Sequence, residues 1–466
     1  MAYTIEQSSA QTPNVQGATD DIFYVVRDTV NNSAPKFRYL LRVTIDSVVI
    51  GTFKQLPNNA NSAAFLIQNI LNDYVKQDAN IFEQTTNGKP FATNSNALKT
   101  VSLEFGFEKA LTADDAPTQT FLPALDTTLK IINGSLRSQL QNSNVNNEIT
   151  NYNFDGTTKQ FISVVPPGKD GVYHQDVIVN QSGALAFLNG DDVGSPNSNY
   201  FHVTYYNDAG VMTTGFLQNV AANGGANPIA GLSDDESLIY FRCFPKNLEL
   251  QNINTSLRPS NNLNFTYYDV QVSNSSTLTG NEKSAIYRFH NLCNTRYNIQ
   301  DVDMSTSEYF LYWWNELGGV DNLLLDAASQ VSQNVKRNTY RTIGNNAFYA
   351  GAGTAFSAPP QQGGLKSAKN LTTTTLTLNT REQNPERLNY LIQSLVNSPS
   401  VYIRMPDVSN DVVNIQQPLY GVNSNTAPIV KCVIVDTQLK YNSSISDKLS
   451  GYTITLEISK RKPTVL

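Results

Sequence analysis

Apolar and polar residues alternate along most of this chain of 466 residues, in short runs separated by turn-forming residues. The clearest runs cover residues 39–45, 101–107, 200–206 and 452–458. An alternation with a period of two places every second side chain on the same side of a strand, so each run predicts a strand with one buried face. Many short strands at close spacing are typical of sandwiches and barrels. The pattern therefore predicts a mainly β fold.

Two segments show the spacing of amphipathic helices instead. The first lies near residues 62–75, where Ile67, Ile70, Leu71 and Tyr74 fall on one helical face. The second lies near residues 385–397, after a capping asparagine and with a proline in its first turn. Its apolar stripe consists of Leu388, Leu391, Ile392, Leu395 and Val396.

The length predicts more than one domain, because a single hydrophobic core stops growing beyond about 250–300 residues. We expect several β-sandwich-like domains, with one amphipathic helix in the first and one in the last. The predicted boundaries give a flexible N-terminal arm (1–20), a β-domain with one helix (21–145), a β-sandwich-like middle domain (146–300) and a C-terminal β-domain with one helix (301–466). The polar, unpatterned arm is expected to become ordered only on assembly.

Composition narrows the function. Charged residues make up only 15% of the chain, against about 25% in typical globular domains, and asparagine, glutamine, serine and threonine supply the polar surface. The formal net charge is −6, and the one basic run is 460–462 near the C-terminus. Binding to a phosphate backbone needs a basic face, so we expect no direct nucleic-acid binding. The sequence shows neither a secretory leader nor a membrane span, which predicts a protein made in the cytoplasm without a membrane partner.

Residues with catalytic or metal-binding chemistry are few and scattered. His174, His202 and His290 have no ligand spacing, and no phosphate-binding loop or nucleophile elbow occurs. Cys243, Cys293 and Cys432 lie in or near apolar strands and are expected to be buried and unbridged. The sequence therefore predicts no enzymatic activity, no catalytic residues, no metal and no cofactor.

Paired carboxylates are the remaining candidates for acid chemistry. They occur at 20–21, 114–115, 191–192 and 234–235, close to glycine, alanine or proline. Aspartate at such positions caps backbone amides in turns, so we predict a structural role for these pairs.

The densest aromatic segment, residues 309–321, has two interpretations. An exposed cluster of Tyr312, Trp313 and Trp314 would stack on sugar rings of a glycan. The interpretation we favour is a buried strand that runs into a turn at Gly318 and Gly319, with the aromatic rings in the core or in a subunit interface.

This segment also carries a resemblance. Residues 315–321 resemble the LN-x-LGG-x-D stretch of tail or neck structural proteins of tailed bacteriophages, of the type found in phages of Bacteroidetes hosts and in marine metagenomes. Residues 38–58 are similar to their N-terminal strand pair and P-N-P loop, although this chain has Leu56-Pro57-Asn58-Asn59 there. Residues 395–402, 434–436 and 446–453 are similar to their C-terminal pattern, so the three matches follow the same order along most of the chain.

The resemblance implies a structural subunit of a phage virion that forms a homo-oligomeric ring or layer in the tail, neck or baseplate. Its expected partners are copies of itself and other virion structural proteins, and its expected location is the virion. The alternative is a receptor-binding or head-decoration protein that recognises a host-surface glycan. Neither function assigns a catalytic residue.

Overall fold

The computed structural model describes residues 3–8, 15–76, 90–92, 96–134, 159–179, 181–188, 200–218, 238–249, 254–292, 309–325, 330–342, 364–380, 385–398, 400–404, 429–435, 440–443 and 450–458. The chain divides into two compact units. Unit 1 comprises Met1–Val302, Tyr312–Leu323 and Glu386–Pro399, and unit 2 comprises Asp303–Leu311, Leu324–Pro385 and Ser400–Leu466. Both are built mainly of strands, and the predicted mainly β fold with several sheets and few helices is confirmed.

The first two sheets of unit 1 contain nine strands. These are β1 (Tyr3–Ser8), β2 (Val15–Gly17), β3 (Phe23–Asp28), β4 (Arg38–Ile45), β5 (Val48–Gln55), β6 (Ser62–Leu66), β8 (Leu98–Lys109), β9 (Thr118–Phe121) and β10 (Thr127–Ile132), with β7 (Phe91–Ala92) assigned to a later sheet. One sheet has the order β1-β3-β6 and the other β2-β10-β8-β4-β5, with β9 beside β8. One hydrophobic core includes buried residues from both, among them Tyr24, Phe65, Leu41 and Phe105. This arrangement is the sandwich that the alternation predicts.

The prediction of a flexible N-terminal arm is wrong for residues 3–8 and 15–17, which form strands of this sandwich. Strand β1 pairs antiparallel with β3, and β2 pairs parallel with β10. The ring of Tyr3 is buried 5.8 Å from that of Tyr39. Polar runs such as this one form strands when a neighbouring strand offers unpaired backbone groups, because those groups need partners. Removing residues 1–20 is therefore expected to destabilise the fold itself.

The predicted helix near 62–75 is wrong over its first half. Ser62–Leu66 forms strand β6, paired with β3 from Arg27 opposite Ser62 to Phe23 opposite Leu66. Ala63 and Phe65 point into the core from this strand. Helix α1 covers only Gln68–Asn72, because the backbone before it is hydrogen-bonded to β3.

Two further sheets of unit 1 form the middle of the chain. Their strands are β7, β11 (Tyr173–Val177), β12 (Leu185–Leu188), β13 (Tyr200–Asn207), β14 (Gly210–Gln218), β15 (Leu238–Phe241), β16 (Tyr267–Ser273) and β17 (Tyr287–Asn291). The orders are β11-β17-β16-β13-β14 and β12-β15-β7. The ring of Phe201 on the larger sheet lies 4.6 Å from Phe241 and 5.3 Å from Phe187 on the smaller sheet. The short helix α2 (Pro245–Glu249) and 3-10 turns at Thr255–Leu257 and Pro259–Asn261 follow β15, and a 3-10 turn at Pro123–Leu125 precedes β10.

The predicted boundary at residue 145 does not coincide with the division into compact units. Strand β7, from the predicted first domain, pairs with β15 of the predicted middle domain, and the ring of Phe91 stacks on Phe241 at 5.2 Å. Pairing between distant parts of the chain thus joins the two predicted domains in unit 1.

The last third contains strands β18 (Tyr309–Trp314), β19 (Val320–Leu325), β20 (Gln330–Thr342), β21 (Gly364–Asn379), β22 (Val401–Arg404), β23 (Ile429–Ile434), β24 (Lys440–Ser443) and β25 (Ser450–Ile458), and helix α3 (Pro385–Asn397). In unit 2 the strand order is β22-β23-β25-β21-β20, with β24 beside β25. Helix α3 confirms the predicted second helix, and Leu388, Leu391, Ile392 and Leu395 of its stripe are buried. No helix in the described ranges is long and apolar enough to span a bilayer.

Candidate functional site

The aromatic segment forms the buried end of strand β18. Tyr312, Trp313 and Trp314 are all enclosed, and the side chain of Trp314 is only 1% exposed. Trp313 donates a hydrogen bond from Nε1 to Oγ of Ser394 in helix α3, at 3.1 Å. The ring of Trp314 meets Tyr240 edge to face, with centroids 5.9 Å apart. The rings therefore pack within the chain and present no surface for stacking on a sugar.

The two glycines of the following turn lie against other parts of the backbone. Gly318 has a φ of +87°, a backbone conformation that residues other than glycine rarely adopt. A Cβ added to Gly318 would lie 2.5 Å from the carbonyl oxygen of Asn133, and one added to Gly319 would lie 1.9 Å from that of Ile162. The Gly-Gly pair is needed because two backbone segments meet the turn.

A buried polar network lies beneath this turn. Asp321 accepts hydrogen bonds from Ser163 Oγ at 2.6 Å, Asn315 Nδ2 at 2.7 Å and the Val164 amide at 3.2 Å. Burial raises the pKa of the Asp321 carboxyl, and the hydrogen bonds from Ser163 and Asn315 oppose that shift. Asn315 also accepts from the Gly319 amide at 2.9 Å. These contacts hold the turn in one conformation, so Asn315, Gly319 and Asp321 have structural roles.

All three histidines lie on one five-stranded sheet, which sequence spacing did not predict. His174 is on β11, His202 on β13 and His290 on β17. The Nδ1 atom of His174 is 2.8 Å from Nε2 of His290, and Asp170 contacts the opposite nitrogen of His174 at 3.1 Å. The hydrogen bond between Asp170 and His174 lowers the pKa of the Asp170 carboxyl, and a second hydrogen bond, from the Val172 amide, lowers it further. Within the described ranges, no group of three histidine, cysteine, aspartate or glutamate side chains is placed to hold a metal ion.

The same sheet face carries an ion pair beside stacked tyrosines. Arg288 donates two hydrogen bonds to Asp269, at 2.7 and 2.8 Å, and its guanidinium lies 4.2 Å from the ring centre of Tyr267. The rings of Tyr267 and Tyr206 stack with centroids 4.7 Å apart. These groups satisfy one another's hydrogen bonds and charges, as in a structural sheet face.

His202 is expected to make the stability of unit 1 depend on pH. Its Nε2 lies 2.8 Å from Oγ of Ser273 and 3.1 Å from the Ser275 carbonyl, and burial lowers its pKa. The unfolded chain therefore binds a proton first as the pH falls through about 6.5. Stability present above that pH is lost as the pH falls towards the lower folded-state pKa.

The measurement is urea unfolding of the wild type and His202→Gln at several values between about pH 8 and about pH 5. The wild type should lose more stability on acidification than the variant. A matched control, His174→Gln, measures how much another histidine of this sheet contributes to the loss of stability on acidification. Parallel curves for the wild type and His202→Gln would contradict the assignment.

In each of the two described carboxylate pairs, one aspartate caps a turn. Asp20 accepts a hydrogen bond from the Gly17 amide at 2.9 Å, and Asp115 accepts from the Thr112 amide at 3.0 Å. The pairs at 191–192 and 234–235 lie outside the described residues. Cys243 and Cys432 are buried and free, and Cys293 also lies outside the described residues.

Unit 2 contains a long hairpin, much of which is not covered by other described strands. Strands β20 and β21 pair from Gln330 opposite Thr377 to Thr342 opposite Gly364. Strand β25 pairs with β21 only from Thr375 to Asn379. Among the described strands, residues 334–342 and 364–373 thus pair only with each other, and we call this segment the ribbon.

Both faces of the ribbon are exposed. Every side chain from Asn334 to Tyr340 is exposed. Because successive side chains of a strand point to opposite faces, neither face of this strand is covered. The exposed residues include Val335, Tyr340 and Leu365, at 42%, 48% and 76%. A two-stranded hairpin on its own is only marginally stable in water. The ribbon is therefore the candidate functional site of this chain.

Comparisons with known proteins supply no family. No family model matches the chain, and no curated protein matches it. A solved structure of native E. coli alpha-2-macroglobulin matches 82% of this chain and 22% of that protein, at 10% identity and a TM-score of 0.18. The chain thus spans about a fifth of that protein's length, and so low a score carries no argument about fold or function.

Proposed function

We propose that this chain is a structural subunit of a bacteriophage virion, which assembles with copies of itself into a ring or layer of the tail, neck or baseplate. The observation that carries the proposal is the ribbon, which exposes both of its faces and three apolar side chains. Exposed apolar groups on a marginally stable hairpin are stabilised when another chain covers them. The mainly β fold and the order of the three phage-like motifs support the same function.

The alternative, a receptor-binding or head-decoration protein that recognises host glycan, has less support. It depended on exposed aromatic rings at Trp313 and Trp314, and both are buried. The tyrosines and Arg288 on the histidine-bearing sheet do not supply another glycan-binding surface, because the charge of Arg288 is already neutralised by Asp269.

Replacing Val335 by asparagine and Tyr340 by serine is expected to weaken self-association about tenfold or more, because apolar groups at an interface each contribute on the order of 1 kcal/mol. The stability of the subunit should change by less than about 0.5 kcal/mol, since both side chains are exposed in the isolated chain. Light scattering over a range of concentrations measures the association, and urea unfolding measures the stability.

The matched control replaces Val211 and Leu111 by asparagine, because these residues are also exposed but lie outside the ribbon. This control should assemble like the wild type. Mass spectrometry and electron microscopy of purified phage particles test the location directly. A chain that stays monomeric at high concentration and is absent from purified particles would be incompatible with the proposed function.

A further inference from the structure

We infer that the ribbon docks on the acidic unit 1 of a second copy of this chain, so that each copy contacts the next in a head-to-tail arrangement. The inference rests on the proposed function and deepens it, because it names the partner surface and the force that selects it. The ribbon carries Lys336, Arg337, Arg341, Lys366 and Lys369 and no acidic residue.

The basic ribbon belongs to a chain with the opposite overall charge. Unit 2 contains 13 lysine and arginine residues and 9 acidic ones, a formal charge of +4. Unit 1 contains the remaining 20 basic and 30 acidic residues, a formal charge of −10. The net charge of −6 is therefore the sum of a basic unit 2, which contains the ribbon, and an acidic unit 1. Surfaces of opposite charge attract and align during encounter.

The ribbon itself supplies no carboxylate that could neutralise its basic side chains. Lys336 and Arg337 are exposed beside the apolar Val335, and the register places Tyr340 opposite Lys366 and Leu365 opposite Arg341. Apolar groups among charged ones are typical of protein interfaces, where the apolar groups are covered and the charges remain at the rim. The combination fits an acidic protein surface.

A second copy fits better than a nucleic acid. A two-stranded basic ribbon has the dimensions to enter a DNA groove, but 30 acidic residues in unit 1 of the same chain would repel a phosphate backbone. The same acidic excess attracts the ribbon of another copy. Because the ribbon and the acidic unit are different surfaces, the contact is heterologous and repeats from copy to copy, which builds a ring or a tube.

The test uses full-length chain prepared in two isotopic forms, one with ¹⁵N and one with ¹⁴N, mixed under conditions of assembly. A carbodiimide joins lysines to carboxylates that are already in contact, and mass spectrometry identifies the joined peptides. We expect mixed-isotope products that link Lys336, Lys366 or Lys369 to acidic residues of unit 1. The self-association constant should also fall at least tenfold between about 50 mM and about 500 mM salt, because salt screens exposed charges.

Charge reversal provides the second arm. Lys336→Glu combined with Arg337→Glu should weaken self-association about tenfold or more. The matched control, Lys169→Glu combined with Lys431→Glu, changes the net charge equally at exposed positions outside the ribbon and should have a smaller effect. Binding of random-sequence duplex DNA is measured in parallel.

The outcomes are distinct. If the chain occurs in particles and assembles, but the ribbon forms no links between copies or the two charge variants behave alike, the inference fails while the proposed function stands. DNA binding that the ribbon variant abolishes, with assembly unchanged, would replace the second copy by nucleic acid as the partner. A chain that is monomeric in all conditions and absent from particles overturns both.

Discussion

Replacement of Trp314 by alanine is expected to lower the free energy of unfolding of unit 1 by about 3–5 kcal/mol. The indole is buried and meets the ring of Tyr240 edge to face, with centroids 5.9 Å apart. Removing it takes away the apolar contacts and leaves a cavity that the surrounding strands cannot fill without shifting. Urea unfolding followed by far-ultraviolet circular dichroism measures the loss.

Tyr390→Ala is the matched control, because this aromatic side chain of helix α3 is half exposed. Its replacement should cost less than about 1 kcal/mol. The opposite result would be informative about function: a Trp314→Ala variant that kept full stability and assembly but lost binding to host cells or glycan would favour the receptor-binding alternative.

Gly319→Ala is expected to destabilise unit 1 by about 3 kcal/mol or more, although it adds a single methyl group. The added Cβ would lie 1.9 Å from the carbonyl oxygen of Ile162, which belongs to the backbone and cannot rotate away like a side chain. Relieving the overlap would separate the turn from Ile162, to which Asn315 donates a hydrogen bond at 3.1 Å. The buried network around Asp321 would then lose its alignment.

Gly51→Ala tests whether the effect comes from the close approach and not from the loss of a glycine. A Cβ at Gly51 would meet the ring of Phe53 at 3.7 Å, an ordinary contact. That variant should stay within about 0.5 kcal/mol of the wild type. Equal stabilities of the two variants would show that the segment containing Ile162 does not lie against the turn in solution.

The surroundings of the aromatic segment were only partly predictable. The sequence singled out Tyr312, Trp313 and Trp314 as a buried or exposed cluster, but burial depends on Ser394 and Tyr240, which lie far away in the chain. The partners of Asp321 are also remote, since Ser163 precedes it by 158 residues. No local pattern marks such a pair, because neither residue has to occur at a fixed spacing from the other.

The ribbon was missed for a different reason. Its sequence, rich in threonine and polar residues, suits a strand, and strand propensity alone does not say whether another strand or helix covers it. Exposure at Val335, Tyr340 and Leu365 is a property of the folded unit. The five basic residues between 336 and 369, with no acidic residue among them, are visible in the sequence, but only the pairing of the two strands brings them into one hairpin.

The sequence by itself determined the strands with clean alternation and the helix α3, because side-chain periodicity and helix-capping residues act over a few neighbouring positions. Tertiary structure decided what those signals leave open. The segment Ser62–Leu66 became a strand because β3 offered backbone partners, and residues 3–8 joined a sheet for the same reason. His174 and His290 met across 116 residues through the pairing of β11 with β17. In a β protein the hydrogen-bond partners come from other strands, so which surfaces are buried or left exposed is decided only when distant strands pair.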